Sequence, residues 1–506
     1  MAIMKKATTP RRAKNGAGKP DPDPSRKQND DALAISIDRS AKEGLVQQVA
    51  DSVKTQIENG TLLPGSKLPS VRETARLLGI STFTVAAAYD LLVARFVIST
   101  RPGSGYFVSS KALATAPMAT RVQAPPTSIS DFWLSLDVFN YGRQLTSPGC
   151  GWLPDSWYES EELIGDAMRR VARIKAQKLV GYGHPAGYGQ LRQLVAHALS
   201  DQHHAITSDQ IILTHGATHA IDLVLRTFLQ PGDPVLVESP GYSNLHGLLS
   251  RYGCQMLPVR RTAAGLDLEA VALHAEKHRP KLMFVTTVLH NPLGTTLRPV
   301  DAHRLLAIAD KYDFLLVEDD IFRAFSVTPA PCLASMDGFS RVISVNGFSK
   351  TVAPSLRCGY LACGLPYVEE LLRTKMVSGL TTSEIGERIA FAHLSDPRQR
   401  RTLSRFKDRL AGMQVSYRRA LEQAGLTILA EPEGGMFISA GWRVAPTETM
   451  NARSIAEDAL KNGIVLAPGS FFEVDASDTI WFRFNIAHGD NPKVHDYLAN
   501  VSAKLK

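Results

Sequence analysis

The most specific chemical arrangement in the chain lies between residues 341 and 361, RVISVNGFSKTVAPSLRCGYL. An apolar strand-type run, Val342 to Val345, ends at the turn signal Asn346-Gly347. Lys350 follows between Ser349 and Thr351. Arg357 comes seven residues later, before a second strand-like run from Tyr360 to Cys363. A strand that ends in a turn presenting one lysine can hold an amine over a bound carbonyl compound. Ser349 and Arg357 can grip an anionic tail. A lone lysine is usually a solvated surface group, so the weight rests on the combination.

Other polar groups stand at the ends of short apolar runs, each with a functional and a plain reading. Thr214-His215-Gly216-Ala217-Thr218 follows the run Ile211–Leu213 and leads into a helix. That is a seat for a phosphate on free N–H groups, or an ordinary strand-to-helix turn. Tyr242, after Pro234–Glu238, stacks on an aromatic ring or packs in the core. Asn291, after Lys281–Thr287 and before Pro292, is held extended to meet an oxygen, or belongs to a Pro-Gly turn. In Glu318-Asp319-Asp320, at the end of the run that starts at Phe314, a carboxylate can keep a pyridine nitrogen protonated. Two adjacent acids could also ligate a metal, but no His or Cys neighbour supports that. Arg483, inside the apolar strand Trp481–Asn485, needs an anion: a ligand carboxylate, or an internal Asp or Glu.

In the elements that carry these groups, strand-like and helical runs alternate from about residue 134 onward. That predicts an α/β fold built on a mainly parallel sheet flanked by helices, with ligands at the carboxyl ends of its strands. Glu433 to Phe437 opens a smaller α/β segment near the C-terminus. In this order the segments resemble a fold-type I aminotransferase domain over residues 134–506. The resemblance implies pyridoxal 5'-phosphate (PLP) as cofactor, with Lys350 as the Schiff-base lysine. It implies Asp319 on the pyridine nitrogen, Asn291 on the ring hydroxyl and Tyr242 stacked on the ring. Ala217 (through its N–H), Thr218, Ser349 and Arg357 hold the phosphate, and Arg483 anchors an amino-acid carboxylate. Two positions depart from that pattern. Phe322 stands where the family usually has a tyrosine, and Gly347 where it often has a serine. Both remove hydrogen bonds to the cofactor, so cofactor binding is expected with tuning ill suited to fast turnover.

The N-terminal part is of another kind. Residues 1–31 are basic and polar, too poor in large apolar groups to order, and are expected to be disordered. Between 38 and 110, Val46, Val49, Val53 and Ile57 mark a first helical face. Ser70 is an N-cap candidate for a helix at 71–78, with Glu73 at capping-box spacing. Gly79-Ile80-Ser81 turns into a third helix at about 82–95, and the runs Phe96–Thr100 and Tyr106–Ser109 flank a glycine-tipped hairpin. Helix, helix, turn, helix and hairpin predict a winged helix-turn-helix. The segments LPSVRETARLLGISTFTVAAAYDLL and GSGYFV resemble the DNA-binding domain of GntR-type bacterial regulators. By that resemblance Arg72, Ser81, Thr82 and Thr84 contact operator DNA, and Gly103 and Gly105 shape the wing. GntR domains often carry arginine where this chain has Thr82. Threonine makes no bidentate guanine contact, which shifts the expected readout toward Arg72, Arg101 and phosphates.

Residues 111–133, within a stretch rich in Ala, Pro, Ser and Thr, read as a linker. A GntR-like winged helix followed by an aminotransferase-like domain resembles the MocR-like regulators. That implies a transcriptional regulator sensing an amino acid or amine through an aldimine at Lys350, and a homodimer arranged head to tail. The alternative is an active aminotransferase with an appended DNA-binding domain. Bulk composition agrees with a multidomain globular chain: 506 residues, 44% hydrophobic, 21% charged, net charge +8. No apolar run approaches the ~20 residues that span a bilayer, and the N-terminus lacks a secretory apolar core. The five cysteines are scattered, with no zinc-site spacing, and read as reduced thiols. The expected location is the cytoplasm.

Overall fold

The structure, a computed structural model, describes residues 35, 37–39, 41, 43–109, 145–158, 161–200, 206–475, 478–489 and 491–505. The tail at 1–31 and the linker at 111–133 lie outside these residues. The chain divides into two compact units, Met1–Gln123 and Ala124–Lys506.

In the first unit α1 (Leu45–Glu58), α2 (Val71–Leu78) and α3 (Thr82–Ala94) precede the antiparallel hairpin β1 (Ile98–Arg101) and β2 (Gly105–Val108). The apolar stripe of α1 (Val49, Val53, Ile57) packs with Val85, Ala88, Tyr89 and Leu92 of α3 in one buried cluster. Ser70 caps α2 by accepting from the Glu73 amide (3.2 Å), and Gly79, at φ 61, ends it. The Tyr89 hydroxyl donates to the Pro69 carbonyl (3.2 Å) and lies 2.9 Å from Thr74 Oγ1, fastening α3 to α2. The first wing strand starts two residues later than the apolar run suggests. Phe96 takes a left-handed conformation (φ 59) and the Val97 amide bonds back to the Leu92 carbonyl, so both belong to the end of α3.

The second unit is built on an eight-stranded sheet. Its strands are β3 (Ile211–Thr214), β4 (Pro234–Ser239), β5 (Gln255–Thr262), β6 (Gly265–Leu266), β7 (Leu282–Thr286), β8 (Leu315–Asp319), β9 (Val342–Gly347) and β10 (Gly359–Ala362), in the order β3-β10-β9-β8-β7-β4-β5-β6. Strands β9, β8, β7, β4 and β5 run parallel to one another, whereas β10 is antiparallel to both β3 and β9, and β6 is antiparallel to β5. The continuous apolar runs follow from burial of both faces. On β7, Leu282 and Phe284 enter one buried cluster while Met283 and Val285 enter another. The predicted sheet lacked β5, whose Pro258, Arg260 and Arg261 break the apolar pattern. Arg261 is nonetheless 1% exposed, because Glu238 on β4 pairs with it at 2.7 Å.

The chain then forms a smaller antiparallel sheet, β11 (Thr427–Ile428), β12 (Phe437–Trp442), β13 (Ala467–Pro468) and β14 (Ile480–Asn485), ordered β11-β12-β14-β13. The long helix Arg398–Gln423 and the C-terminal helix Pro492–Leu505 contribute to the same buried cluster as β12 and β14. This is the expected small C-terminal α/β subdomain. No helix among the described residues is long and apolar enough to cross a membrane.

Candidate functional site

A cavity of about 370 Å³ lies at the carboxyl ends of the large-sheet strands. Nine residues singled out in the sequence line it together: Ala217, Thr218, Tyr242, Asn291, Asp319, Ser349, Lys350, Arg357 and Arg483. Phe322 lines it as well, 4% exposed and edge-on to Phe437 at 5.5 Å.

Lys350 enters from the turn after β9, and its Nζ donates to the Gly151 carbonyl at 2.5 Å. Burial, with the nearby guanidinium groups of Arg483 and Arg357, pushes its pKa down to about 8. A fraction of the amine is therefore neutral, and nucleophilic, near physiological pH.

Asp319 ends β8. Its Oδ1 accepts only from the Ile321 amide (3.2 Å) among the bonds described, and burial, with Glu238 and Glu318 nearby, pushes its pKa up to about 6. Its neighbours are committed elsewhere. Glu318 accepts from Thr287 Oγ1 (2.7 Å) and the Leu333 and Ala334 amides (3.0 Å each), while Asp320 pairs with Arg323 at 2.5 Å. Of three consecutive acids, Asp319 is thus the one that lines the cavity. Among the described residues no group of three or more His, Cys, Asp or Glu is placed to hold a metal.

A new helix, α4 (Ala217–Phe228), begins at the cavity. Gly216 caps it at φ 90 with no side-chain acceptor over the first-turn amides. A Cβ at Gly216 would stand 2.9 Å from Arg357 Nη2, so glycine keeps the cradle open. Arg357 reaches across it, with Nη1 3.4 Å from Ser349 Oγ and Nη2 donating to the His215 carbonyl (3.2 Å). Gly347, one of the departures from the family pattern, also has a local cause. A Cβ there would lie 3.3 Å from the Ala217 amide nitrogen, crowding this helix start.

Arg483 of β14 is 5% exposed and has no carboxylate partner among the ion pairs described. It donates from Nη1 to Asn291 Oδ1 (2.9 Å) and from Nη2 to the Gly149 carbonyl (2.6 Å), and sits 4.5 Å from the centre of the Phe437 ring. Its Nε is buried without a partner. Burial pulls its pKa down to about 10. Among the described residues, no internal Asp or Glu pairs with this arginine.

Sequence reasoning missed the loop that closes the cavity. Asn485 Nδ2 donates to the Cys150 (2.9 Å) and Trp152 (2.8 Å) carbonyls and pins residues 150–152. Gly149 lies so close to β13 that a Cβ would stand 2.5 Å from the Ala467 amide nitrogen. Tyr158 Oη donates to the Ser349 carbonyl (2.9 Å), bracing the lysine turn. Gly149 and Gly151 act through backbone carbonyls, which leave no residue-type signal.

In the winged-helix unit, Arg72, Ser81, Thr82 and Arg101 are exposed and Thr84 is half-buried. Ser81 accepts from the Thr84 amide (3.0 Å), and its Oγ lies 2.8 Å from Thr84 Oγ1, so these two hydroxyls first serve as the cap of α3. Arg101 lies over the Phe107 ring at 4.3 Å. Gly103 (φ 73) and Gly105 (φ 104) turn the wing.

This fold and pocket define a fold-type I aminotransferase-class protein with a DNA-binding unit in front. Residues 156–501 match the model of aminotransferase class I and II, and the chain belongs to that family. Members of the family use pyridoxal phosphate. Residues 45–108 match the model of the bacterial regulatory proteins of the gntR family. The chain is 29% identical to the uncharacterized HTH-type transcriptional regulator YdcR of Escherichia coli, over 87% of this chain and 94% of that protein. It is 28% identical to the HTH-type transcriptional regulator TauR of Rhodobacter capsulatus (91% and 96% covered). Against the probable rhizopine catabolism regulatory protein MocR of Rhizobium meliloti the identity is 29% (65% and 67% covered). The crystal structure of LysN, the α-aminoadipate aminotransferase of Thermus thermophilus, superposes with a TM-score of 0.66 at 22% identity, covering 74% of this chain and 97% of that one.

Proposed function

We propose that this protein is a PLP-dependent transcriptional regulator that binds operator DNA through its winged helix and senses a carboxylate-bearing amine in the pocket of its large domain. The observation that carries this reading is the pairing, in one cavity, of a half-buried lysine with a depressed pKa and a buried arginine that has no carboxylate partner among the described residues. The relatives that match over nearly the whole chain support it.

The residues fit the cofactor. The open glycine cradle, the uncapped first turn of α4, Ser349 and Arg357 suit a phosphate. Asp319 suits a pyridine nitrogen, since a protonated ring nitrogen would offset, as an opposite charge, the desolvation that now raises its pKa. Asn291 would meet the ring hydroxyl, Tyr242 the ring face, and Lys350 the aldehyde. When bound, PLP supplies an aldehyde that condenses reversibly with amines and a ring that withdraws electrons. Lys350 holds or releases a proton near neutral pH. Arg483 orients a carboxylate, and Phe322 and Phe437 exclude water beside it. Phe322 has no hydroxyl to offer the ring, a tuning that suits sensing better than rapid turnover.

Lys350 stands on the large sheet and Arg483 on the small one. A ligand held by both favours the arrangement in which the two approach, and it shifts DNA affinity only by its differential affinity for the two arrangements. Arg72, Ser81, Thr82, Thr84 and Arg101 would meet the DNA, with Gly103 and Gly105 setting the wing. The domains run as 38–110 and 134–506, joined by a linker at 111–133. The protein works in the cytoplasm as a head-to-tail homodimer. Exposed Val180 (81%), Tyr182 (87%) and Val377 (91%) on the large unit are apolar surface that a second copy would cover.

The test is optical. Protein supplied with PLP should show a visible absorbance band that borohydride bleaches and Lys350→Ala lacks. A wild-type protein without that band sinks the cofactor assignment.

A further inference from the structure

Phe83 is the most exposed large apolar side chain described in the winged-helix unit, at 82%. It is the second residue of α3, directly after Thr82 and the Ser81 cap. The inner face of α3 is Val85, Ala88, Tyr89 and Leu92, all 0% exposed. Its outer face is Phe83, Ala86, Ala87 and Asp90. The helix TFTVAAAYDLLVA contains no arginine, lysine, asparagine or glutamine. It therefore lacks every side chain that makes the bidentate contacts by which guanine and adenine are read in the major groove. Thr84 is tied to Ser81. In its first turn, α3 offers a base edge the Thr82 hydroxyl and the phenyl ring of Phe83, and two turns further on the exposed carboxylate of Asp90.

The apolar group that a base pair presents in the major groove is the 5-methyl of thymine. A phenyl ring cannot bond a phosphate, and in water it gains nothing by its exposure. Ala86 and Ala87 are small enough to let the helix sit deep in a groove. The exposed cations Arg72 and Arg76 on α2, and Arg101 on the wing, supply charge for the backbone on either side. We infer that Phe83 is a specificity-determining residue that reads a thymine methyl in each operator half-site. The inference rests on the DNA-binding reading above and adds the base it selects.

The experiment uses the full-length, PLP-loaded protein. Duplexes are selected from a random-sequence library, and in the selected site each thymine is replaced in turn by deoxyuridine, which deletes only the methyl. One thymine per half-site should lose roughly fourfold in affinity on replacement, the worth of one buried methyl group. Phe83→Ala should bind weaker at that site, abolish the sensitivity, and keep the salt dependence set by phosphate contacts. Phe83→Leu should keep part of it. If the deoxyuridine effects are the same in wild type and Phe83→Ala, the inference is wrong. It is equally wrong if Phe83→Ala alters only self-association, since the ring is then a protein contact. Failure to enrich any sequence overturns the regulator reading and this inference with it.

Discussion

Replacing Arg483 with methionine should erase a preference for carboxylate-bearing ligands while the fold stands. The guanidinium is buried, and its pKa falls from 12.5 to about 10 through desolvation. That shift corresponds to a penalty on the charged form on the order of 3 kcal/mol. A carboxylate entering beside it relieves most of that penalty, which converts to roughly 150-fold in affinity. Methionine fills a similar volume with no charge. It gives up the bonds to Asn291 Oδ1 and the Gly149 carbonyl but also removes a desolvated cation, and such exchanges are close to neutral for stability. The assay titrates PLP-loaded protein with amino acids and with the amines left when each loses its carboxylate, followed by cofactor absorbance. In the wild type the parent amino acids should bind roughly 150-fold tighter, and in Arg483→Met the ratio should collapse toward one. The guanidinium remains charged well past neutrality, so the wild-type ratio should be flat from about pH 6 to pH 8. Amines that bind the wild type as well as their parent amino acids, or a variant that keeps the ratio, would refute the reasoning.

Two further substitutions separate stability from function. Asp319→Asn should stabilise the cofactor-stripped protein and weaken PLP binding. The Asp319 pKa is raised from 3.8 to about 6, so its favourable contribution is complete below about pH 4 and lost as pH rises through 6. Above that window the variant should be more stable by up to about 3 kcal/mol, and a thermal melt series against pH checks both sign and range. Gly216→Ala places a Cβ at φ 90 and 2.9 Å from Arg357 Nη2. It should cost about 1–2 kcal/mol of backbone strain and lower PLP affinity more than tenfold, read from absorbance titration with phosphate as competitor.

The site was legible where side chains carry it. Lys350, Asp319 and Asn291 are polar residues just at or past the ends of apolar strands, and Arg483 is a charge inside one, contrasts visible in one dimension. The large sheet was legible because strands buried on both faces must be apolar throughout. What stayed hidden has physical reasons. Strand β5 pairs Arg261 with a glutamate on its neighbour, and nothing in a linear reading shows a partner that neutralises a buried cation. Strand β10 runs against its neighbours, a direction that composition does not encode. The loop at 149–152 acts through carbonyls present in every residue. The Ser81 and Thr84 hydroxyls, expected at DNA, are already engaged with each other, because capping and base contact ask for the same residue types.

The bond from Arg483 to Asn291 Oδ1 has a logical consequence. On the proposed roles, one amide serves both the cofactor's ring hydroxyl and the arginine that takes the ligand's carboxylate. Its Oδ1 takes the arginine, which leaves Nδ2 to donate to the ring oxygen, so on the proposed roles both binding events orient one side chain and are energetically linked. Linkage is reciprocal: whatever factor the ligand adds to cofactor affinity, the cofactor adds to ligand affinity. On those proposed roles such a protein would compute a conjunction, answering fully only when the metabolite and the vitamin-derived cofactor are plentiful together, and the colour of the bound cofactor would report the answer.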